Sequence, residues 1–178
     1  DLLRACLNSL RRTLDMSRVK VLIVDDQSRE PDTLTFLADF DRTAGCRVLR
    51  PASLSDTFNY WRLMNLGARE VDTPLMLHLN NDVEAITPGW LEQMQGWLTV
   101  PDIGVVGPKL LYPDGAIQHA GVMVVPGLFT PEHLFHRLPN DDPGYQWLPH
   151  RLRNVSAVTG ACVLTRTELF RDVGGFDD

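Results

Sequence analysis

The sequence predicts an α/β fold: a mostly parallel sheet with helices on both faces, plus a β-hairpin. Three observations carry this. Helical and strand-like apolar periods alternate through the first half of the chain, the pattern of crossover units. Two of the predicted strands end on clusters of polar residues. In the second half, short β-branched runs flank a Pro-Asp-Gly turn at 113–115, a hairpin signal.

The elements follow in order. "DLLRACLNSLRRTL" places Leu3, Cys6, Leu7, Leu10 and Leu14 on one helical face and arginines on the other. "VKVLIV" is an apolar strand. "REPDTLTFLADF" reads as a second helix with Pro31 and Asp32 in its first turn. "CRVLR" is a short strand. "SDTFNYWRLMNLGAREV" is a third helix, with Ser55 or Asp56 near its cap and Gly67 inside it. "PLMLHLNND" is a strand ending on polar residues. "TPGWLEQMQGWL" is a helix with Thr87 as N-cap, Pro88 at the first helical position, and Trp90, Leu91, Met94, Trp97 and Leu98 on its core face. Beyond the hairpin, 126–150 have no period and read as a long loop. "VSAVTGACVLTR" returns to strand, and "TELFRDVGG" to a short helix closed by Gly174.

Bulk properties exclude several classes. At 178 residues, 44% hydrophobic and 22% charged, the chain has the composition of one globular domain. Seventeen basic against 23 acidic residues give −6, which argues against nucleic acid as a partner. No apolar run has the length of a membrane span, and the N-terminus lacks a signal-peptide pattern. Cys6, Cys46 and Cys162 are an odd, widely spaced set with no CxxC; they read as small buried hydrophobes in a reducing cytoplasm.

In α/β sheets of this kind ligands bind beyond the carboxyl ends of the strands. Two strand ends are polar here: Asp25-Asp26 and Asn80-Asn81-Asp82. Either alone reads equally well as turn or cap residues; together they point to a shared site. An acidic pair after a strand suits a phosphorelay receiver or a nucleotide-sugar-binding domain. A full amphipathic helix precedes the pair, asparagines flank the next acid, and "KLLYPDGAIQHAG" adds a hairpin. None of these suits a compact receiver.

The stretches "VLIVDDQS", "FNYWRLMNLGARE", "LMLHLNNDVEAITPGWLEQM", "IGVVGPKLLYPDGAIQHAGVMV", "DDPGY" and "VSAVTGACVLTRTELFRDVGGFDD" together resemble a family 2 glycosyltransferase domain with the GT-A fold, of the bacterial surface-polysaccharide type. The resemblance covers nearly all of residues 1–178 as a single domain, with 1–100 as a nucleotide-binding half and 101–178 as an acceptor-side half. It implies a nucleotide-sugar donor, a saccharide or lipid-linked acceptor, and inverting transfer of a hexosyl-type sugar in polysaccharide biosynthesis. The donor side would comprise Asp25, Asp26, Ser28, Arg62, Asn80, Asn81 and Asp82. The family's metal-binding DxD element falls on Asn80-Asn81-Asp82. Only Asp82 retains a carboxylate there, so magnesium or manganese should bind weakly until the donor diphosphate arrives. His119, Thr159 and Gly160 fall on the acceptor side; by its residues alone, His119 reads first as a hydrogen-bonded histidine fixing the hairpin. Asp177 and Asp178 are weak candidates for the catalytic base, which in the family lies farther downstream.

Relative to the family, the chain starts after the first strand and stops before the base. The expectation is therefore a domain truncated at both ends and inactive alone, or else a non-catalytic nucleotide-sugar-binding or scaffolding module. The expected setting is cytoplasmic, including the inner face of a membrane reached through parts outside this stretch. His133, His136 and His150 invite a zinc reading, but no carboxylate or cysteine stands at ligand spacing. Trp61 and Arg62 ride a helix facing the nucleotide region; core packing for Trp61 and a solvated or diphosphate-facing Arg62 are both open.

Overall fold

A computed structural model describes residues 1–51, 58–124, 127 and 130–177 of the chain. These form two compact units. One comprises Asp1–Met76, Glu84–Leu91 and Arg166–Asp178; the other comprises Leu77–Val83 and Glu92–Thr165.

The first unit opens with α1 (Leu2–Thr13), whose buried face carries Cys6, Leu7, Ser9, Leu10 and Thr13. The two polar residues on that face are satisfied locally and at long range. Ser9 Oγ donates to the Cys6 carbonyl at 2.6 Å and accepts the Ala85 N–H at 2.8 Å. Thr13 Oγ1 donates to the Ser9 carbonyl and accepts the Trp90 indole N–H at 3.3 Å. Helix α1 thus holds the segment around 85–90 by hydrogen bonds.

Strands β1 (Val21–Val24) and β2 (Cys46–Leu49) pair in parallel, in the register Val21↔Cys46 to Val24↔Leu49. The crossover between them is α2 (Pro31–Asp41), with Pro at its start as the sequence requires. Helix α3 (Tyr60–Arg69) packs on β1. Its cap is Asn59, whose side chain accepts the Arg62 N–H at 3.0 Å; Ser55 and Asp56 lie outside the described residues. Gly67 permits the close approach, since a Cβ there would stand 2.8 Å from Val24 Cγ2. Helix α5 (Thr167–Asp172) closes on Gly174 at φ +87, as expected of a left-handed C-terminal glycine. Its first residue is tied to the entry of strand β3 (Leu75–Leu79): Thr167 donates through N–H to the Pro74 carbonyl and through Oγ1 to the Thr73 carbonyl.

Strand β3 joins a three-stranded sheet in the order β3-β9-β4, with β4 (Val105–Val106) antiparallel to β9 (Cys162–Arg166). The expected hairpin is present: β5 (Leu110–Leu111) and β6 (Ile117–His119) are antiparallel across the Pro-Asp-Gly turn, with Gly115 at φ +84. Among the described residues the parallel pair β1–β2 lies in the first half of the chain, and the sheet is broken into short pieces.

Four expectations need correction. Helix α4 runs Trp90–Trp97 and begins after Thr87 and Pro88, because Gly89 sits at φ +82, outside the right-handed helical region. Within it Leu91 and Met94 are buried, as is Leu98 just beyond, but Trp97 is 42% exposed. The core stripe is narrower than the sequence spacing suggested. Within residues 130–150 the expected long loop holds two short elements: β8 (Glu132–His133) pairs antiparallel with β7 (Val122–Met123), and Tyr145–His150 form 3-10 turns. The two β8 residues are too few to show a period. Of the cysteines, Cys6 and Cys162 are buried as expected, whereas Cys46 is half-buried.

Candidate functional site

The acidic pair divides. Asp25, the first residue past β1, is 5% exposed, whereas Asp26 is exposed. Asp25 Oδ1 accepts both the Ser28 N–H at 3.2 Å and the Ser28 hydroxyl at 2.5 Å, closing the loop on itself. Its Oδ2 lies 2.7 Å from Arg50 Nε. That contact is an ion pair without the alignment of a hydrogen bond, so Oδ2 has no hydrogen-bond partner among the described residues. Arg50 also donates from Nη2 to the Ser28 carbonyl at 2.9 Å. One guanidinium therefore holds both ends of the Asp25–Ser28 turn. Gln27, within it, stands at φ +58, a left-handed conformation that a non-glycine residue keeps only when its surroundings fix it.

Arg50 was absent from the residues singled out by sequence. Its signal was available: β1 and β2 pair in parallel with Val24 opposite Leu49, so the next residues, Asp25 and Arg50, emerge side by side. Arg62 is exposed on the first turn of α3, and neighbouring Trp61 lies 4.7 Å, ring to ring, from Phe176 while 40% exposed.

In the other unit, Asn80, Asn81 and Asp82 form the turn after β3. The Asn80 N–H donates to the Ala161 carbonyl at 2.9 Å, and its carbonyl accepts the Val83 N–H at 3.4 Å. Asn81 and Asp82 are exposed. Among the described residues no three His, Cys, Asp or Glu side chains group as metal ligands.

His119 and Thr159 are brought together. The His119 ring is 2% exposed; its Nε2 accepts the N–H of Gly121 and that of Thr159, each at 3.3 Å. With Nε2 an acceptor, the ring hydrogen is on Nδ1, which donates to His133 Nδ1 at 3.1 Å. Burial, reinforced by His133 and Arg153, holds the His119 pKa down at about 4. The imidazole is thus a neutral bridge between the hairpin and the approach to β9. Thr159 Oγ1 in turn accepts the Ala161 N–H at 3.3 Å, and Gly160 is half-buried between them in sequence. His136 and His150 bond elsewhere, to the Tyr112 hydroxyl at 3.0 Å and the Asp142 carbonyl at 2.9 Å. Asp177 is exposed; Asp178 lies outside the described residues.

Among the described residues no helix is long and apolar enough to cross a membrane.

Comparison with known proteins gives concordant results. The O-antigen biosynthesis protein RfbC of Myxococcus xanthus is 37% identical over 180 aligned positions, covering 100% of this chain and 14% of that protein. An uncharacterized protein, y4gI, of Sinorhizobium fredii (strain NBRC 101917 / NGR234) is 36% identical, covering 100% of this chain and 19% of that one. The chain spans less than a fifth of either relative. Among solved structures, that of S. aureus TarS 1-349 superposes with a TM-score of 0.56 at 16% identity, covering 97% of this chain and 45% of that one, a likeness of fold. The mixed α/β architecture is that expected of GT-A. The family model described as "Glycosyl transferase family 2" matches residues 1–174, and the chain belongs to that family.

Proposed function

We propose that this chain is the donor-binding domain of a glycosyltransferase that moves a sugar from a nucleotide sugar to a saccharide or lipid-linked acceptor, in surface-polysaccharide assembly. Residues 1–100 serve the donor and 101–178 the acceptor. One observation carries the site assignment: an exposed carboxylate, Asp26, follows a buried one whose loop is pinned by Ser28 and Arg50 at the carboxyl end of a parallel strand. Asp26 accepts a base N–H or ribose hydroxyl through a charge-assisted hydrogen bond. Asp25 and Ser28 shape the loop, and Arg62 reaches the diphosphate. The family membership and the name of the M. xanthus relative support the transferase reading over a non-catalytic module.

Asn80, Asn81 and Asp82 bring one carboxylate and two amide groups to a strand end, hard donors of the kind that would hold a magnesium or manganese ion, with Asp82 as its carboxylate. Such an ion, when bound, neutralises charge on the departing nucleoside diphosphate. The chain's own residues bind and orient. In the transfer, an acceptor hydroxyl oxygen bonds to the anomeric carbon as the bond to the diphosphate oxygen breaks, inverting that centre, and a carboxylate takes the hydroxyl proton. His119 keeps Thr159 and Gly160 in place on the acceptor side. The setting is the cytoplasm, including the inner face of a membrane.

The test is thermal unfolding across a panel of nucleoside diphosphates with and without manganese. A ligand of the native state raises the midpoint by mass action. One nucleoside diphosphate should do so, more with manganese. Asp82→Ala should abolish the manganese increment and leave the unliganded midpoint unchanged, since Asp82 is exposed. An increment that survives would remove Asp82 from the metal site.

A further inference from the structure

Four of the five non-glycine residues with positive φ among the described residues fall between 135 and 147: Phe135, Arg137, Gln146 and Trp147. Left-handed backbone of this kind is strained and collects at ligand sites. The segment is nonetheless firmly held. The Arg137 N–H donates to the Ile117 carbonyl and the Ile117 N–H to the Leu138 carbonyl, each at 2.8 Å, and the Asn140 N–H donates to the Gly115 carbonyl at 3.2 Å. Residues 137–140 thus line up against the hairpin, with Ala116 opposite Pro139. Beside this pairing opens a cleft of about 450 Å³, within the size range of small-molecule sites, lined by Asp114, Ala116, Arg137, Pro139, Asn140 and Asp141. Arg137 Nη1 donates to Asp114 Oδ2 at 3.2 Å, and its guanidinium lies over the Tyr112 ring, 4.0 Å from the centroid. Asp114 Oδ1 accepts the Ala116 N–H at 3.0 Å. An ion pair as exposed as Asp114–Arg137 adds little stability, but it fixes a planar set of donors beside a carboxylate.

The lining selects the ligand. Two carboxylates against one guanidinium disfavour an anion such as phosphate. One of those carboxylates is already paired with Arg137, which disfavours a cation. Ala116 and Pro139 offer too little carbon for an apolar ligand. Carboxylate acceptors, guanidinium donors and an amide that does both suit an uncharged ligand whose neighbouring hydroxyls each donate and accept. A second observation agrees. Trp147 is 56% exposed, on backbone that is left-handed at both Gln146 and Trp147. Its ring stands 5.5 Å from that of His150, whose Nε2 donates to the carbonyl of Asp142, the neighbour of Asp141, at 2.9 Å. A flat apolar ring beside polar groups matches a sugar, which has a C–H face and a hydroxyl edge. We propose that this cleft is a saccharide-binding site, in which Asp114, Arg137, Asn140 and Asp141 hold hydroxyls and Trp147 stacks on a sugar ring. All five residues belong to the second compact unit, and the site does not depend on the donor residues assigned above.

The test is saturation-transfer NMR on the intact protein without nucleotide. The probes are methyl glycosides of glucose, galactose, mannose, rhamnose and N-acetylglucosamine, with maltotriose and chitotriose, and inorganic phosphate as competitor. At least one sugar should receive saturation, and phosphate should not displace it. Asn140→Ala and Asp141→Ala should each weaken that sugar at least about tenfold, with unchanged unfolding midpoints because both residues are exposed. Trp147→Ala should weaken it as much, by a route that leaves the polar groups in place. Displacement by phosphate, or undiminished binding in all three variants, would overturn the inference. A wild-type protein that binds a nucleoside diphosphate but none of these sugars would overturn this inference alone. One that binds a sugar here but no nucleoside diphosphate would overturn the donor reading alone.

Discussion

Asp25→Ala should destabilise the protein by about 3 kcal/mol, and Asp26→Ala should leave it within about 0.5 kcal/mol of wild type, although the two residues are adjacent and chemically identical. The difference lies in their partners. Removing the Asp25 carboxylate strands the Ser28 N–H and hydroxyl, releases Arg50, and leaves Gln27 in a left-handed conformation with less to hold it. Hydrogen bonds to a charged group are worth about 1.5–3 kcal/mol each. Arg50 is half-exposed and can return to water, so the total stays well below the sum. Urea unfolding of the two variants measures this, read from the midpoint at unchanged slope. Equal midpoints would mean that the buried carboxylate does not hold the loop.

Acidification should produce the second large effect. His119 titrates near 6.5 in the unfolded chain and at about 4 in the native state, because burial disfavours its charged form. Above pH 6.5 both states are neutral and the native state keeps its full advantage. As the pH falls from 6.5 to 4 the unfolded chain takes up a proton that the native state refuses, and stability drops by roughly 3 kcal/mol in all. Below about 4 this group costs nothing further. His78, buried on β3 and also held at about 4, adds to the same window. Equilibrium unfolding across this pH range should therefore show a steep dependence, reduced by about one proton in His119→Gln. An identical slope in the variant would mean that the imidazole is protonated in the native state, contrary to its two N–H donors at Nε2.

How much of this was legible in the residues follows from range. Helices α1, α2 and α5 and strands β1 and β2 could be read because each carries its own period or cap within a few residues. The Pro-Asp-Gly hairpin was readable for the same reason. The start of α4 was misplaced because Thr-Pro is a sound helix opening and only the left-handed Gly89 overrides it. Residues 132–133 gave no sign of a strand, since their pairing with 122–123 is a tertiary fact. The site shows the same split. Asp25, Asp26 and Ser28 announce themselves as a polar cluster at a strand end. Their unequal burial does not, because it depends on Arg50, 25 residues downstream by number and visible only once β1 and β2 are paired.

The central claim is that the exposed carboxylate after β1 recognises a nucleoside. Calorimetric titration of UDP, dTDP, GDP, CDP and ADP in manganese, on the wild-type chain and on Asp26→Asn, tests it most directly. One nucleoside diphosphate should bind the wild type, and Asp26→Asn should weaken it about ten- to a hundredfold, the loss expected for one charge-assisted hydrogen bond, with an unchanged unfolding midpoint. Binding of none of the five, or equal affinity in the variant, would contradict the account.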